Sequence, residues 1–406
     1  MTTDDQNSIL RWIENQADSM RQLVEKVCNV NSYTENTSGI DSVRSIFRQQ
    51  FEAIADTIDE PKLPDHEIVD PSGNVVKQPI ASALQVIKRC QANKRIFLCI
   101  HLDTVYPPES PFQKCTEIET GILNGPGVID AKGGAVILLF ALKAFERYAL
   151  AHQLGWEVIL NTDEEIGSPS SQNLIKTRGQ KCRLGLLFEP ALPDGTLVDQ
   201  RKGSGNYSII VRGKSVHSGR DFHNGRNAIV KAAEIASRLH ELNSVYEEVT
   251  INVARIDGGG PLNVVPDLAI VRVNLRVGEL DQQTWCETTI KEIVAEFNSI
   301  EGFSCELHGA FFSPPKILDD RSLLLKQNIE RAANSMNLNV AWRSTGGVSD
   351  GNKLSSVNLP NIDTLGARGD HMHNPNEFLI LDSLVERVKL TTLLLMRYAS
   401  GEYSLD

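Results

Sequence analysis

Four short stretches carry side chains whose types and spacing could do chemistry. His101-Leu102-Asp103 closes an apolar run, and period-two spacing puts His101 and Asp103 on one side of an extended chain. A carboxylate beside a metal-binding histidine accepts its second ring N–H and fixes the tautomer; a surface His–Asp pair has the same spelling. Asp130 lies in Gly125-Pro126-Gly127-Val128-Ile129-Asp130-Ala131-Lys132-Gly133-Gly134. Glycines there let backbone approach a metal, although an aspartate in the turn that opens a helix is common. Asp163-Glu164-Glu165 stands just beyond the apolar Val158-Ile159-Leu160. Three adjacent carboxylates repel one another unless solvated or neutralised by a cation. Glu189 ends Leu186-Leu187-Phe188-Glu189-Pro190, where an exposed strand tip is the alternative. Taken together, two histidines and three or four carboxylates make an imidazole and hard-oxygen ligand set suited to zinc, manganese or cobalt. A carboxylate shared by two such ions would hold them a few ångströms apart, the geometry of two-metal hydrolysis.

The elements around these residues must bring them to one place. Helical periodicity predicts helices over 8–28 and 43–54, and the Pro-, Asp- and Gly-rich stretch 62–80 reads as surface hairpin or loop. Buried strands are expected at 95–100, 156–161 and 184–188, with an apolar helix over 135–149 between the first two. Alternating strands and helices argue for an α/β sheet with helices on both faces, whose ligands sit beyond the carboxyl ends of the strands. That is where His101, the 163–165 run and Glu189 fall. After Gly203 the order becomes βαββαβ: strand 207–211, helix 227–242, strands 249–256 and 268–277, helix 284–297, strand 303–307. This is the ferredoxin-like arrangement. Helices are expected again at 321–335 and 381–398. The chain divides into an α/β domain of residues 1–202 and 315–406 and an inserted α+β domain of residues 203–314.

Composition narrows the classes of function. The chain has 406 residues, enough for two domains. With 52 acidic against 41 basic residues the net charge is −11, and no basic patch offsets it, so no nucleic-acid partner is expected. No apolar run reaches the length of a membrane span, and the start Met-Thr-Thr-Asp-Asp-Gln lacks the features of a signal peptide, so a cytoplasmic location without a membrane partner is expected. Seven cysteines, without a CxxC pair, fit neither a disulfide framework nor a thiolate metal site. The glycines near Asp130 form no GxGxxG or GKS/T motif, which opposes nucleotide binding.

His101-Leu102-Asp103, the 125–134 segment, Thr162-Asp163-Glu164-Glu165, Phe188-Glu189-Pro190 and His373-Asn374-Pro375-Asn376-Glu377 resemble consecutive motifs of one family. It is the co-catalytic di-zinc peptidase and deacylase family of carboxypeptidase G, aminoacylase, acetylornithine deacetylase and succinyl-diaminopimelate desuccinylase. The resemblance covers nearly the whole chain and implies two Zn2+ per chain, with Co2+ or Mn2+ as substitutes. Asp130 would bridge the ions. One ion would take His101 and Glu189, the other Glu165 and His373, with His371 as the fallback for the last ligand. Asp103 would orient His101, Glu164 would act as general base, and the peptide after Asp130 would be cis.

In the inserted domain, Gly213-Lys214-Ser215-Val216-His217-Ser218-Gly219 resembles the segment whose histidine crosses a homodimer to the partner's oxyanion. Asn263 and Arg276 would contact substrate, Arg276 through a carboxylate, and Gly346 and Gly347 belong to a loop resembling the substrate-backbone loop. The function implied is hydrolysis of an amide bond beside a free carboxylate in an N-acyl amino acid or short peptide. Carboxypeptidase G-like action leads, with acetylornithine deacetylase and succinyl-diaminopimelate desuccinylase as rivals. A catalytically silent, amino-acid-binding relative is the alternative of another class.

Overall fold

The computed structural model describes residues 3–404. Its central sheet has six strands in the spatial order Thr57–Asp59, Leu84–Lys88, Gly155–Asn161, Arg95–His101, Leu184–Leu187, Asn361–Ile362. The first two pairings are antiparallel and the remaining three parallel. Arg95–His101 shows why the apolar runs become central strands. Ile96, Leu98 and Ile100 enter the main core with the helices Gly133–Phe145 and Asp382–Ser400, while Phe97 and Cys99 pack with Ile175 and Leu354 on the other face. A strand covered on both sides has no polar face to show. Because 95–101, 155–161 and 184–187 are mutually parallel, their carboxyl ends leave the sheet along one edge. The register sets His101 opposite Asn161 and Cys99 opposite Leu187, which carries Glu189 level with His101.

The N-terminal helix expected over 8–28 is two helices, Thr3–Glu14 and Ala17–Cys28. Between Ile13 and Met20 the only apolar residue is Ala17, so nothing pins the stripe there. Gln16 N–H turns back to the Ile13 carbonyl at 3.0 Å, and each half buries its own anchors. The helix expected over 135–149 is Gly133–Phe145, entered through a wider turn, Val128–Lys132, in which the Asp130–Ala131 peptide is cis.

Residues 203–313 form a second sheet in the order Thr250–Gly258, Leu268–Val277, Gly203–Arg212, Ser304–Ser313, antiparallel throughout. The helices Ala228–Glu241 and Leu280–Asn298 cover one face and share its separate apolar cluster, including Ile235, Leu239, Ile290 and Phe297. The βαββαβ order is as expected, with the last strand reaching Ser313 instead of 307. The hairpin His66–Val69/Val75–Gln78 meets the other face. Val69 packs on Ile210 and Ile270, and Arg212 Nη2 donates to the Gly73 carbonyl at 2.6 Å.

The chain passes into and out of this second sheet beside one buried carboxylate. Arg201 and Lys316, just outside it, pair backbone to backbone, with Arg201 N–H donating to Lys316 O at 3.1 Å and Lys316 N–H to Arg201 O at 2.9 Å. Asp363, which follows the last central strand, accepts from Arg201 Nε at 2.8 Å, Arg201 Nη2 at 3.2 Å, Lys316 Nζ at 3.0 Å and Ser349 Oγ at 2.8 Å. Burial opposes its charge, but the two cations hold it far below the usual carboxylate range. Asp363→Asn leaves those cations buried without a counter-charge and is expected to cost about 3–5 kcal/mol in urea unfolding near neutral pH. A depressed carboxylate stabilises the fold above about pH 4 and loses that contribution as pH falls through its folded value. The gap between wild type and variant is therefore expected to close in strong acid.

Candidate metal centre

A cleft of about 660 Å3 runs along the edge where the strands end. His101 is fully buried, against Asp130 and Glu189, which line the cleft. Its Nδ1 lies 2.9 Å from the main-chain oxygen of Asp103, which can only accept, so Nδ1 carries the proton and Nε2 faces the cleft. Asp103 thus meets His101 first through its carbonyl, and its Oδ1 stands farther off at 3.4 Å. Carbonyl and carboxylate of Asp103 both stand on the Nδ1 side of the imidazole. The strand ends at His101, so period-two alternation does not extend to Asp103. The Asp103 carboxylate also accepts from Thr34 Oγ1 at 2.8 Å and from the N–H groups of Glu164 and Glu165 at 3.2 Å each. One aspartate therefore sets both the histidine and the acidic turn.

The acidic run divides. Asp163 turns inward, its Oδ2 accepting from Ser170 N–H at 2.8 Å and Ser171 N–H at 3.1 Å, and burial pushes its pKa up to about 6. Glu164 and Glu165 line the cleft. Around them Asp130 uses both carboxylate oxygens, Oδ1 3.1 Å from His101 Nε2 and Oδ2 3.3 Å from His373 Nε2. Glu189 Oε2 lies 3.7 Å from His101 Nε2, and Glu165 Oε2 lies 3.1 Å from His373 Nε2. His371 is not at the cluster; its ring packs edge-on against Phe378, with centroids 5.8 Å apart.

The electrostatics are those of a pocket short of positive charge. Burial raises Glu164 well above the carboxylate range, and neighbouring Glu189 adds to it. Glu165 rises to about 8, through burial and the charge of Asp130, against the pull of His373. Hydrogen bonds to Asp130 and Glu165 raise His373 to about 10. Burial works against a charged Asp130, but His101 and His373 hold it well below the usual range. Among the described residues no lysine or arginine forms an ion pair with Asp130, Glu164, Glu165 or Glu189, and Glu165 Oε1 is buried without a partner. Donor types, convergence and an orphaned oxygen all fit divalent cations. Among the described residues, His101, Asp130 and Glu165 bring one ligand atom each within 4.8 Å of one another.

The other expected residues fall in two places. Arg276 and Gly347 line the cleft, and Arg276 Nη1 donates to the Gly346 carbonyl at 3.2 Å. Burial alone lowers the Arg276 pKa, and no carboxylate pairs with it among the described residues. His217 and Asn263 lie together on an exposed tip of the second sheet's region, where Ser218 N–H donates to the Asn263 carbonyl at 2.9 Å; neither lines the cleft of its own chain.

Sequence reasoning gave Glu377 no role. A small sheet, Thr116–Glu119, Ile122–Asn124, Phe378–Ile380 and Gly369–Asp370, lays the His373 loop beside the Asp130 loop. Glu377, fully buried, accepts from Gly127 N–H at 3.2 Å, Ile129 N–H at 2.9 Å, Asp130 N–H at 3.1 Å and Tyr106 Oη at 2.6 Å. Burial pushes its pKa up to about 7 although these donors oppose the rise. Its place four residues after His373 was the available signal. Glu377→Gln keeps the volume but has one acceptor oxygen for four donors, and is expected to lower stability by about 1–3 kcal/mol in urea unfolding. Weaker Co2+ uptake in a spectroscopic titration is expected with it, because the same N–H groups fix Asp130.

Comparison with known proteins agrees with this geometry. Residues 97–397 match the profile of peptidase family M20/M25/M40. Carboxypeptidase G2 of Pseudomonas sp. (strain RS-16) is 23% identical over 98% of this chain and 91% of its own. An M20 family metallo-carboxypeptidase from Sulfolobus solfataricus superposes with a TM-score of 0.72 at 18% identity, covering 94% of this chain and 99% of its own. A dinuclear metal-binding peptidase of the M20 family from Bacillus subtilis gives 0.65 at 14%, covering 95% and 99%. With three quarters of its length inside the matched region, an α/β fold shared with solved members and the ligand-type side chains converged, the chain belongs to peptidase family M20/M25/M40, whose members hydrolyse peptide and amide C–N bonds.

Proposed function

We propose that the protein is a two-zinc hydrolase cleaving an amide bond next to a free carboxylate, in an N-acyl amino acid or a short peptide. The observation that carries this reading is Asp130, whose two oxygens reach His101 on one side and His373 on the other. Glu189 stands beside the first histidine and Glu165 beside the second. In this reading one ion takes His101, Glu189 and Asp130, and the other His373, Glu165 and Asp130. Zinc is the resident metal, with Co2+ or Mn2+ able to replace it. Bound there, the pair supplies polarisation of the scissile carbonyl and acidification of a water.

The chain's own residues do the rest. Glu164, buried and held high in pKa, takes the proton of the attacking water and passes it to the departing nitrogen. Arg276, half-buried without an acidic partner, receives the substrate carboxylate, and the Gly346–Gly347 loop runs along the substrate backbone. Residues 203–314 serve as lid and dimerisation domain over the catalytic domain, 1–202 with 315–406. His217 and Asn263 act across a homodimer, a role supported by their exposure together on a tip that does not meet their own cleft. A cytoplasmic location is supported by seven free cysteines; no helix among the described residues is long and apolar enough to cross a membrane.

Elemental analysis with hydrolysis of N-acetylornithine, N-succinyl-diaminopimelate, N-acetyl-methionine and a C-terminal glutamate peptide tests the reading. About two metals per chain are expected, with turnover abolished by chelator and restored by Zn2+ or Co2+. Turnover that survives stoichiometric chelation would overturn it, and full metal content without turnover of any acylated amino acid would favour a binding protein. Glu164→Gln is expected to lower kcat by about 10²–10⁴ with metal content retained. For the dimer, mixing His217→Ala with Glu164→Ala protein should restore part of the activity. No recovery despite demonstrated subunit exchange would remove His217 from the partner's site.

A further inference from the structure

The turn that carries Glu164 and Glu165 is gripped by two acids. Asp103 takes the N–H groups of both residues. The second grip comes from Asp350, which is buried along with both of its partners in the loop. Its Oδ1 accepts from Ser168 Oγ at 2.5 Å and its Oδ2 from Asn161 Nδ2 at 2.8 Å. Asn161 ends the strand before the acidic run, and Ser168 follows the short turn Glu164–Ile166. One carboxylate therefore closes both ends of the loop. Ser168 has φ +55°, a left-handed backbone that glycine adopts more readily. A serine kept in that conformation spends its hydroxyl on Asp350.

Asp350 also has a buried cation within reach, Lys353, whose Nζ lies 3.6 Å from Oδ1. That contact is longer than either loop bond, and Lys353 gives its shorter one, 2.7 Å, to Ser313 Oγ. Pairing with Lys353 alone does not account for where the carboxylate points. The element that presents Asp350 is itself fixed at the crossings between the two sheets. Asp350 opens the short helix Asp350–Ser355. From that helix Asn352 Nδ2 donates to the carbonyl of Lys202 at 3.1 Å and to that of Pro314 at 2.7 Å, one on each crossing. Ser349, just before the helix, donates its hydroxyl to Asp363. The carboxylate cannot drift without disturbing bonds to both crossings.

We propose that Asp350 is a positioning residue for Glu164: by closing both ends of the loop 161–168 it holds the general base in place for proton transfer. This rests on the hydrolase reading. Asp350 touches no reacting atom and acts through Ser168 and Asn161. Supporting groups of this kind matter because a small displacement of a proton-transfer group is costly in rate.

Ser168→Ala and Asp350→Asn are compared with wild type in two forms. The Zn2+-loaded proteins give kcat, KM and the solvent deuterium isotope effect on kcat, and the Co2+-loaded proteins give visible absorption spectra. Ser168→Ala leaves the charge of Asp350 beside Lys353 intact, so it decides alone if Asp350→Asn does not fold. The expected result is a kcat lowered by about 10–100-fold with KM little changed. The isotope effect should rise as proton transfer slows, and the Co2+ spectrum should shift because Glu165 rides on the same turn. A lowered kcat with isotope effect and Co2+ spectrum both as in wild type overturns the proposal, since a smaller folded or metal-loaded fraction gives that result. Kinetics unchanged in both variants also overturn it. If wild type turns over no substrate of the panel above, the hydrolase reading fails separately and the Co2+ spectrum decides. A shifted spectrum in Ser168→Ala upholds Asp350 as the seat of the turn, and a wild-type spectrum overturns it.

Discussion

Four carboxylates converge on two imidazoles at one edge of the central sheet, and most of the surrounding structure answers that crowding. Burial pushes carboxyl groups toward the protonated form, and like charges a few ångströms apart add to it. Glu164, Glu165 and Glu189 are all raised, while Asp130 alone is held low because it lies between two histidines. Such an arrangement persists only where the backbone carrying it is fixed by forces unrelated to the repulsion. Here the apolar strands provide them. With both faces of Arg95–His101 buried, the strand cannot slip without exposing one set of its side chains.

Three further acids act on backbone and linkers, away from the ligand positions. Asp103 gathers the N–H groups of Glu164 and Glu165 and, through its carbonyl, sets the tautomer of His101. Glu377 gathers the N–H groups around Asp130. Asp363 fastens Arg201 and Lys316, at the two crossings between the sheets. Each spends its acceptor oxygens on fixed donors and so holds the backbone or side chains that carry them. Rearrangement of the second sheet relative to the first would have to work around the Asp363 pair, since both linkers meet there.

Much of this was legible in the sequence, for identifiable reasons. Continuous apolar runs gave the central strands because burial on both faces leaves no other pattern, and the βαββαβ order of the second sheet followed from periodicity. His101, Asp130, Glu164, Glu165, Glu189 and His373 were visible as polar residues at the ends of apolar strands or in motifs of a known family, and the structure converges all six. What stayed hidden depends on partners distant in sequence. Nothing in residues 101–103 says that Asp103 turns its carboxylate to Thr34 and the 164–165 turn. Glu377 has meaning only once a sheet pairs 378–380 with 122–124. The break near Asn15 falls in a gap of the apolar stripe, where helical periodicity carries no signal.

The distribution of cations follows from the same crowding. A lysine or arginine beside Glu165 or Glu189 would neutralise the carboxylates, occupy the place a metal ion needs and remove the reason for binding one. The positive groups that line the cleft come from other elements. Arg276 comes from the second sheet, and Arg343 from a two-stranded ribbon outside the central sheet. Of the three cleft-lining arginines, Arg201 alone is closed on an acid, Asp363, which it shares with Lys316. Arg201 feels the charges of Glu189 and Glu164, and its closure on Asp363 keeps the guanidinium from pairing with them.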